Sequence, residues 1–284
     1  MRSVYSVANH LTFLICLVWG REFRAPVKSS ISIYRQRILN IPGIINLRDT
    51  GGYPAGNSAM TRWGTLLRSG TMNGFTPDAR ELLDQFEIRT VLDLRRDDEL
   101  APDPQPDLGN GHRLTRYQQV SLLTDEIQEA RRQNRYLLPD IYRAILDNAR
   151  KQVGEAIGTL AEPDAFPAVV RCTAGKDRTG LIVALLLRTA GVPDDTIAYD
   201  YALSQKSMER PEFIEFQRTH VLEPGADWDA YRKAFLISPA DYMRDVLAYI
   251  DREYGSTCAY LLDAGVDVPA QNHLRRALVE PRGR

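Results

Sequence analysis

A single cysteine lies among basic and small residues in the segment VRCTAGKDRTG, which spans residues 170–180. Arg178 follows Cys172 six positions later, and a Thr-Gly pair comes directly after the arginine. A guanidinium can give two parallel hydrogen bonds to a tetrahedral oxyanion, and a thiolate is a strong nucleophile. The spacing therefore predicts a site in which the sulfur of Cys172 attacks the phosphorus of a bound phosphate.

The segment between Cys172 and Arg178 is suited to bind an anion. The run at 165–171 predicts a strand that ends before the cysteine, and the apolar run at 179–190 predicts a helix after it. The first N–H groups of a helix lack intrahelical acceptors, and the helix dipole adds positive charge there. A glycine in the loop lets successive N–H groups point inward. The residues expected to bind the phosphate are Thr173, Ala174, Gly175, Lys176, Asp177 and Arg178.

The rest of the chain reads as strands that alternate with helices. Apolar spacing predicts both kinds of element. The predicted strands are residues 41–46, 66–69, 89–94, 114–123 and 165–171, and the predicted helices begin at residue 76 or cover 126–160, 179–190 and 238–254. This order indicates an α/β domain with a helical C-terminal third.

The composition of the 284-residue chain excludes several classes of protein. Its formal net charge of -1 argues against nucleic acid as a partner. The three cysteines are far apart and the four histidines are scattered, so the sequence shows no disulfide scaffold and no metal-ligand spacing. We therefore expect an enzyme without a metal ion or another cofactor.

The N-terminal residues 1–38 differ from the remainder because basic side chains surround a short apolar run at 11–20. A transmembrane helix needs about 20 apolar residues, so this run is too short to span a membrane. It is typical either of a signal peptide or of a poorly ordered leader. We expect a cytoplasmic or secreted protein whose single folded domain covers residues 39–284.

Several segments together resemble the bacterial atypical tyrosine phosphatases, a branch that includes secreted mycobacterial and listerial effectors. The segments are GKDRTG at 175–180, NLRDTGGY at 46–53, LRSG at 67–70, VLDLR at 91–95 and YGSTCAYLLDAG at 254–265. The resemblance covers residues 39–279, which is most of the chain.

This resemblance implies the cysteine-phosphatase fold, with a central, largely parallel sheet of four or five strands flanked by helices. It implies a protein tyrosine phosphatase that acts on phosphotyrosine proteins or peptides, and also on phosphoserine and phosphothreonine. Cys172 would form a phosphocysteine that water then hydrolyses. Arg178 would hold the phosphoryl oxygens, and Thr179 would support the thiolate.

Two alternative functions use the same loop. A phosphoinositide or inositol phosphate phosphatase would need a wider and more basic pocket, for which Lys176 and Arg171 are the candidate cations. A phosphate-dependent binding module would hold a phosphopeptide without turnover. Relatives also carry a helical lid, and the matching residues 204–243 could cover the active site or form an ordinary core.

The general acid that protonates the leaving oxygen has two candidates, Asp125 and Asp177. The resemblance places an aspartate near Asp125, just after a predicted strand, although Thr124 could take the aligned position. We expect Asp125 to be the general acid, with Asp177 as loop organiser or alternative donor.

Arg171 departs from the resemblance, because relatives have a histidine directly before the cysteine. An arginine cannot reproduce the hydrogen bonds of an imidazole. We therefore expect an active but less efficient enzyme.

Overall fold

The computed structural model of the protein describes residues 35–72, 76–101, 116–133, 137–222 and 225–282. Most of the predicted leader, residues 1–34, lies outside these ranges. Arg37 nevertheless donates a hydrogen bond of 2.8 Å to the carbonyl of Asp49. Ile38 forms a β-bridge with Arg48. The folded domain therefore begins slightly before the predicted start at residue 39.

The strands form a central sheet and a small peripheral sheet. They are β1 (Arg48–Asp49), β2 (Pro54–Ala55), β3 (Ala59–Thr61), β4 (Leu66–Ser69), β5 (Thr90–Asp93), β6 (Arg116–Gln119), β7 (Ala168–Arg171) and β8 (Val279–Pro281). The central sheet has the order β1-β4-β7-β5-β6, with β1 antiparallel and the other strands parallel. The small antiparallel sheet has the order β2-β3-β8. The predicted largely parallel sheet is confirmed.

Helices surround the central sheet and make up the C-terminal part of the chain. They are α1 (Pro77–Asp84), α2 (Asp125–Arg132), α3 (Leu138–Asn148), α4 (Arg150–Ala161), α5 (Asp177–Ala190), α6 (Asp194–Ala202), α7 (Gln205–Met208), α8 (Pro211–His220), α9 (Trp228–Phe235), α10 (Ala240–Tyr254), α11 (Thr257–Asp263) and α12 (Val268–Leu278). A short 3-10 helix covers Asp97–Glu99. No helix in the described ranges is long and apolar enough to cross a membrane.

Strand β7 is buried on both faces of the sheet. Val170 belongs to the larger apolar cluster, which includes Leu185 of α5, whereas Val169 belongs to a smaller cluster with Val91. Successive side chains of a strand point to opposite faces, so β7 joins the two clusters. The chain leaves β7 and enters the largely buried helix α5, and both ends of the connecting loop are therefore fixed.

Two of the predicted elements differ from the structure. The strand predicted at 41–46 is wrong, because Gly43 and Asn46 have positive φ angles of 78° and 56°, which a strand excludes. The helical prediction at 126–160 is confirmed in type, but the segment is divided into α2, α3 and α4. Pro139 favours a new helix start, and Ala149, with a φ of -112°, separates α3 from α4.

Candidate active site

The loop of residues 172–178 lies at the carboxyl end of β7, between the parallel neighbours β4 and β5. Cys172 is the first residue after the strand, and 1% of its surface is exposed. Helix α5 begins at Asp177, so the loop joins a central strand to a helix N-terminus as predicted. Ligands of open α/β sheets bind in the crevice at this end of the strands.

Gly175 has the backbone conformation that the loop requires. Its φ is +64°, a left-handed value that glycine adopts without strain. A Cβ at this position would lie 2.4 Å from the backbone nitrogen of Gly70 and 2.4 Å from the carbonyl carbon of Ser69. The loop therefore passes against β4 too closely for any side chain at residue 175.

Two polar side chains hold the outer side of the loop. The amide of Asn46 donates to the carbonyls of Ala174 and Gly175, both at 3.0 Å. The guanidinium of Arg68 donates to the carbonyl of Gly175 at 2.9 Å and to that of Lys176 at 3.3 Å. Because these carbonyls are bound on the outside, the loop can present its N–H groups to an anion on the inside.

Asp200 binds the arginines that support this arrangement. Its carboxylate lies 3.2 Å from Nε of Arg48 and 2.6 Å from a terminal nitrogen of Arg68, and it accepts a hydrogen bond of 2.9 Å from Tyr53. Burial opposes ionisation of Asp200, but the attraction of Arg48 and Arg68 outweighs it and lowers the pKa to about 2. Two buried guanidinium groups thus share one carboxylate behind the loop.

Arg178 is held by a carboxylate that the sequence did not single out. Its two terminal nitrogens donate to the two oxygens of Glu99 at 2.6 and 2.7 Å, and the hydroxyl of Thr173 donates to Glu99 at 2.6 Å. Burial alone would raise the pKa of Glu99, but Arg178 lowers it to about 2. Glu99 is therefore ionised at neutral pH and fixes the guanidinium plane.

A cavity of about 640 Å³ lies over the loop and is open to solvent. The residues Cys172, Thr173, Asp177, Arg178, Glu99 and Gln217 form its polar part. The apolar lining consists of Leu123, Leu138, Ile141, Ile145, Ala174, Val221, Tyr231, Phe235 and Leu236. Four of these residues come from the region predicted as a lid, residues 204–243, namely Val221, Tyr231, Phe235 and Leu236. Two of them, Tyr231 and Phe235, lie in α9, and the other two directly follow α8 and α9. The predicted lid region therefore forms one wall of the cavity.

The two candidate acids occupy different positions. Asp177 lines the cavity, accepts a short hydrogen bond from the Tyr142 hydroxyl and lies 3.3 Å from the ammonium of Lys176. The carboxylate of Asp125 is 93% exposed and lies 2.9 Å from Arg96. Asp125 is absent from the residues that line the cavity, although Leu123, which precedes it by two positions, lines it.

Thr179 lies in the first turn of α5 and is fully buried. Within the described part of the chain, its hydroxyl has no hydrogen-bond partner. A buried hydroxyl without a partner is costly in a folded protein. The hydroxyl is consequently available to a group that appears during the reaction.

Neither of the cations that suggested a lipid substrate lines the cavity. Nε of Arg171 lies 3.6 Å from the carboxylate of Asp93, and both side chains are fully buried. The ammonium of Lys176 donates to the carbonyls of Phe235 and Ile237 at 2.5 and 2.8 Å. The idea that these two side chains make the pocket more basic is therefore not supported by their positions.

Sequence inspection missed several residues of the site. Asn46 and Arg68 lie in the segments that carry the family resemblance, but their contact with loop carbonyls was not foreseen. Asp200 gave no local signal, since its role depends on Arg48, which is 152 positions away. Glu99 stands in an acidic run after the LDLR segment, and the run alone does not distinguish it from a solvated surface.

Comparison with known proteins places this geometry in context. A profile described as the tyrosine phosphatase family matches residues 39–280. The triple specificity protein phosphatase PtpB of Mycobacterium tuberculosis is 28% identical over 282 residues, covering 85% of this chain and 99% of that protein. A tyrosine-protein phosphatase of Nostoc commune is 29% identical over 213 residues, covering 71% of this chain and 69% of that protein.

Proposed function

The chain belongs to the tyrosine phosphatase family, and we propose from the geometry of the 172–178 loop how it removes phosphate from phosphotyrosine. The protein is a cysteine-dependent protein tyrosine phosphatase. The assignment of roles to the residues of the site rests on one observation. The carbonyls of Ala174, Gly175 and Lys176 are bound from outside by Asn46 and Arg68, which leaves the loop N–H groups for the phosphoryl oxygens.

Cys172 is the proposed nucleophile. Its thiolate attacks phosphorus, an S–P bond forms, and the bond from phosphorus to the tyrosine oxygen breaks. Arg178 and the N–H groups of residues 173–178 hold the equatorial oxygens while their charge redistributes. Water then attacks the phosphocysteine, which releases inorganic phosphate and regenerates the thiolate. The hydroxyl of Thr179, which has no hydrogen-bond partner among the described residues, supports its proposed role as a donor to the departing sulfur.

We retain Asp125 as the proposed general acid and Asp177 as the proposed loop organiser. Asp177 already accepts a hydrogen bond from Tyr142 and lies beside Lys176, and these contacts support its role in organising the loop. The carboxylate of Asp125 is 93% exposed and its ion-pair partner, Arg96, is partly exposed, so the side chain has room to rotate. Rotation toward the cavity would bring its carboxyl to the leaving oxygen, since Leu123 already lines the same cavity.

The cavity favours an aryl phosphate over a polyanionic head group. Cys172 is almost completely covered, and its surroundings beyond the loop are mostly apolar. An aromatic ring fills such a space, whereas an inositol with several phosphates would need more than one cation, and among the described lining residues only Arg178 is a cation. Phosphotyrosine is therefore the proposed main substrate. Phosphoserine and phosphothreonine are proposed as slower ones; the name of the mycobacterial relative, triple specificity protein phosphatase, is consistent with more than one kind of substrate.

A panel of substrates in the presence of a chelator tests this proposal. It contains a phosphotyrosine peptide, the matching phosphoserine peptide and vesicles that carry a phosphoinositide. We expect turnover to be fastest on phosphotyrosine, absent for Cys172→Ser and unchanged for Cys258→Ser, which alters an exposed cysteine. Folded wild-type protein without turnover on any substrate would contradict the enzymatic assignment, and a preference for the vesicles would favour the lipid alternative.

A further inference from the structure

The side chain of Lys176 lies in an unusual environment for a lysine. It belongs to the 172–178 loop, directly before α5, and it is fully buried. Lysine is almost never fully buried unless it is paired. Here the ammonium donates to the carbonyl of Phe235 at 2.5 Å and to that of Ile237 at 2.8 Å, and it lies 3.3 Å from the carboxylate of Asp177.

One carbonyl belongs to Phe235, the last residue of α9, and the other to Ile237, two positions beyond the helix. This helix ends at Phe235, and the last carbonyls of a helix have no intrahelical donor and carry partial negative charge. A cation at this end of a helix is favourable. Lys176 thus caps α9 from a segment that is 59 positions away in the chain.

The capped helix is part of the cavity wall and is only partly buried. Tyr231, Phe235 and Leu236 line the cavity together with Cys172. None of the residues within α9 is fully buried. Trp228, Tyr231 and Leu236 pack in a small cluster with Phe213, and Phe235 packs against the larger apolar cluster. Elements with few buried apolar contacts open most readily.

We propose that the ammonium of Lys176 is the tether that holds residues 228–237 closed over Cys172. The inference rests on the proposed function, because a phosphotyrosine must pass this wall of the cavity to reach the nearly covered sulfur. The backbone of Lys176 belongs to the phosphate-binding loop, and its side chain fixes the wall of the same cavity. Lys176 is therefore a positioning residue that links the loop to the wall.

Opening of the wall separates the ammonium from both carbonyls. A variant of Lys176 without the ammonium should populate the open form more often, since the carbonyls of Phe235 and Ile237 lose their donor. Access of large substrates then improves relative to small ones. A role in binding a lipid head group, in contrast, would require the ammonium to face the cavity, whose lining does not include Lys176.

The test compares Lys176→Met with Lys233→Met in the full chain. Lys233 is an exposed lysine on α9, so the control removes the same charge from the same helix. For Lys176→Met we expect amide hydrogen exchange in residues 228–237 to rise about tenfold, as the loss of hydrogen bonds to a charged donor implies. The rate of Cys172 alkylation by iodoacetamide should rise several-fold, by a factor of the same order as the rise in hydrogen exchange. Lys233→Met should match the wild type in both measurements.

A kinetic comparison adds a second readout. The ratio of kcat/KM for a phosphotyrosine peptide to kcat/KM for p-nitrophenyl phosphate should increase in Lys176→Met and stay constant in Lys233→Met. If Lys176→Met does not fold, Lys176→Gln, which keeps an N–H donor, should show a smaller increase in exchange of the same segment.

Exchange in residues 228–237 that is equal in all variants would overturn the tether. Loss of activity on phosphoinositide vesicles with unchanged exchange would instead assign the ammonium to head-group binding. Exchange and alkylation do not depend on turnover. A wild-type protein without phosphatase activity would therefore refute the proposed function and leave the test of the tether intact.

Discussion

Glu99 and Arg178 form a bidentate ion pair. Each carboxylate oxygen of Glu99 accepts a hydrogen bond from a different terminal nitrogen of the guanidinium, at 2.6 and 2.7 Å. Arg178 also donates to the carbonyl of Leu94 at 3.2 Å. The guanidinium is consequently oriented before a substrate arrives. Glu99 touches the arginine rather than the reacting atoms, so it acts as a positioning residue.

Replacement of Glu99 by glutamine should disturb this orientation. The loss of a charged hydrogen-bond pair is worth about 1.5–3 kcal/mol, so we expect kcat/KM for an aryl phosphate to fall about ten- to hundredfold. Asp98→Asn on the same 3-10 helix, where the carboxylate is 52% exposed, is the control and should retain activity. Tighter binding of orthovanadate to Glu99→Gln with no loss of kcat/KM would mean that Glu99 competes with phosphate for Arg178.

The two aspartates can be separated by their dependence on the leaving group. Asp125→Asn should lower kcat/KM about a hundredfold for phosphotyrosine peptides, and much less for esters whose leaving group needs no protonation. Asp177→Asn should lower both by a similar factor, because the loop loses its contacts with Tyr142 and Lys176. The measurement is a plot of kcat/KM against the pKa of the leaving phenol. A selective effect in Asp177→Asn would transfer the proton donor to that residue.

Asp200 is expected to be a major determinant of stability. Removing one partner of a buried ion pair costs about 3–5 kcal/mol, and Asp200→Asn leaves Arg48 and Arg68 without their carboxylate. Denaturant unfolding should show this loss at neutral pH, while Asp195→Asn, whose carboxylate is 85% exposed, should change the free energy by less than about 0.5 kcal/mol.

The pH dependence of this difference has a defined sign. The pKa of Asp200 is lowered in the folded state, from 3.8 to about 2. Its contribution is therefore complete above pH 3.8 and is lost as the pH falls toward 2. The stability difference between wild type and Asp200→Asn should shrink in that interval. A difference that stays constant down to pH 2 would argue against an ionised Asp200 in the folded protein.

Arg171→His is expected to act mainly on stability. Arg171 pairs with Asp93, which keeps its contacts with Arg95 at 2.7 Å and with the hydroxyl of Tyr117 at 2.7 Å. We expect a loss of about 1–3 kcal/mol in unfolding free energy, with a smaller relative change in the rate of Cys172 alkylation. Arg89→His, at a partly exposed ion pair with Asp164, is the control. A large gain in alkylation rate at unchanged stability would show that Arg171 restrains the thiol directly.

The position of the active site could be predicted from sequence because it depends on neighbours in the chain. A β-branched run, a cysteine, a glycine and an apolar helix follow one another within residues 165–190, and the structure places them as β7, the loop and α5. Each element there is determined by local spacing and turn chemistry.

The support of the site could not be predicted in the same way. Asn46 reaches the loop because its own backbone is left-handed, which is also why the predicted strand at 41–46 fails. The sequence indicates the side chain of Lys176 as a candidate cation for a lipid head group. It is buried against α9 because a helix end, remote in sequence, presents its carbonyls there. Such contacts depend on tertiary packing and leave no periodic pattern.

The outward carbonyls of residues 174–176 determine when the loop loses its conformational freedom. Asn46 and Arg68 order it while the chain folds, with no ligand required. Phosphate then meets a rigid receptor, so its binding entropy does not include the ordering of these residues. The entropy cost of ordering the loop is instead part of the free energy of folding. A sequence with a more mobile loop would gain folding stability but bind phosphate more weakly.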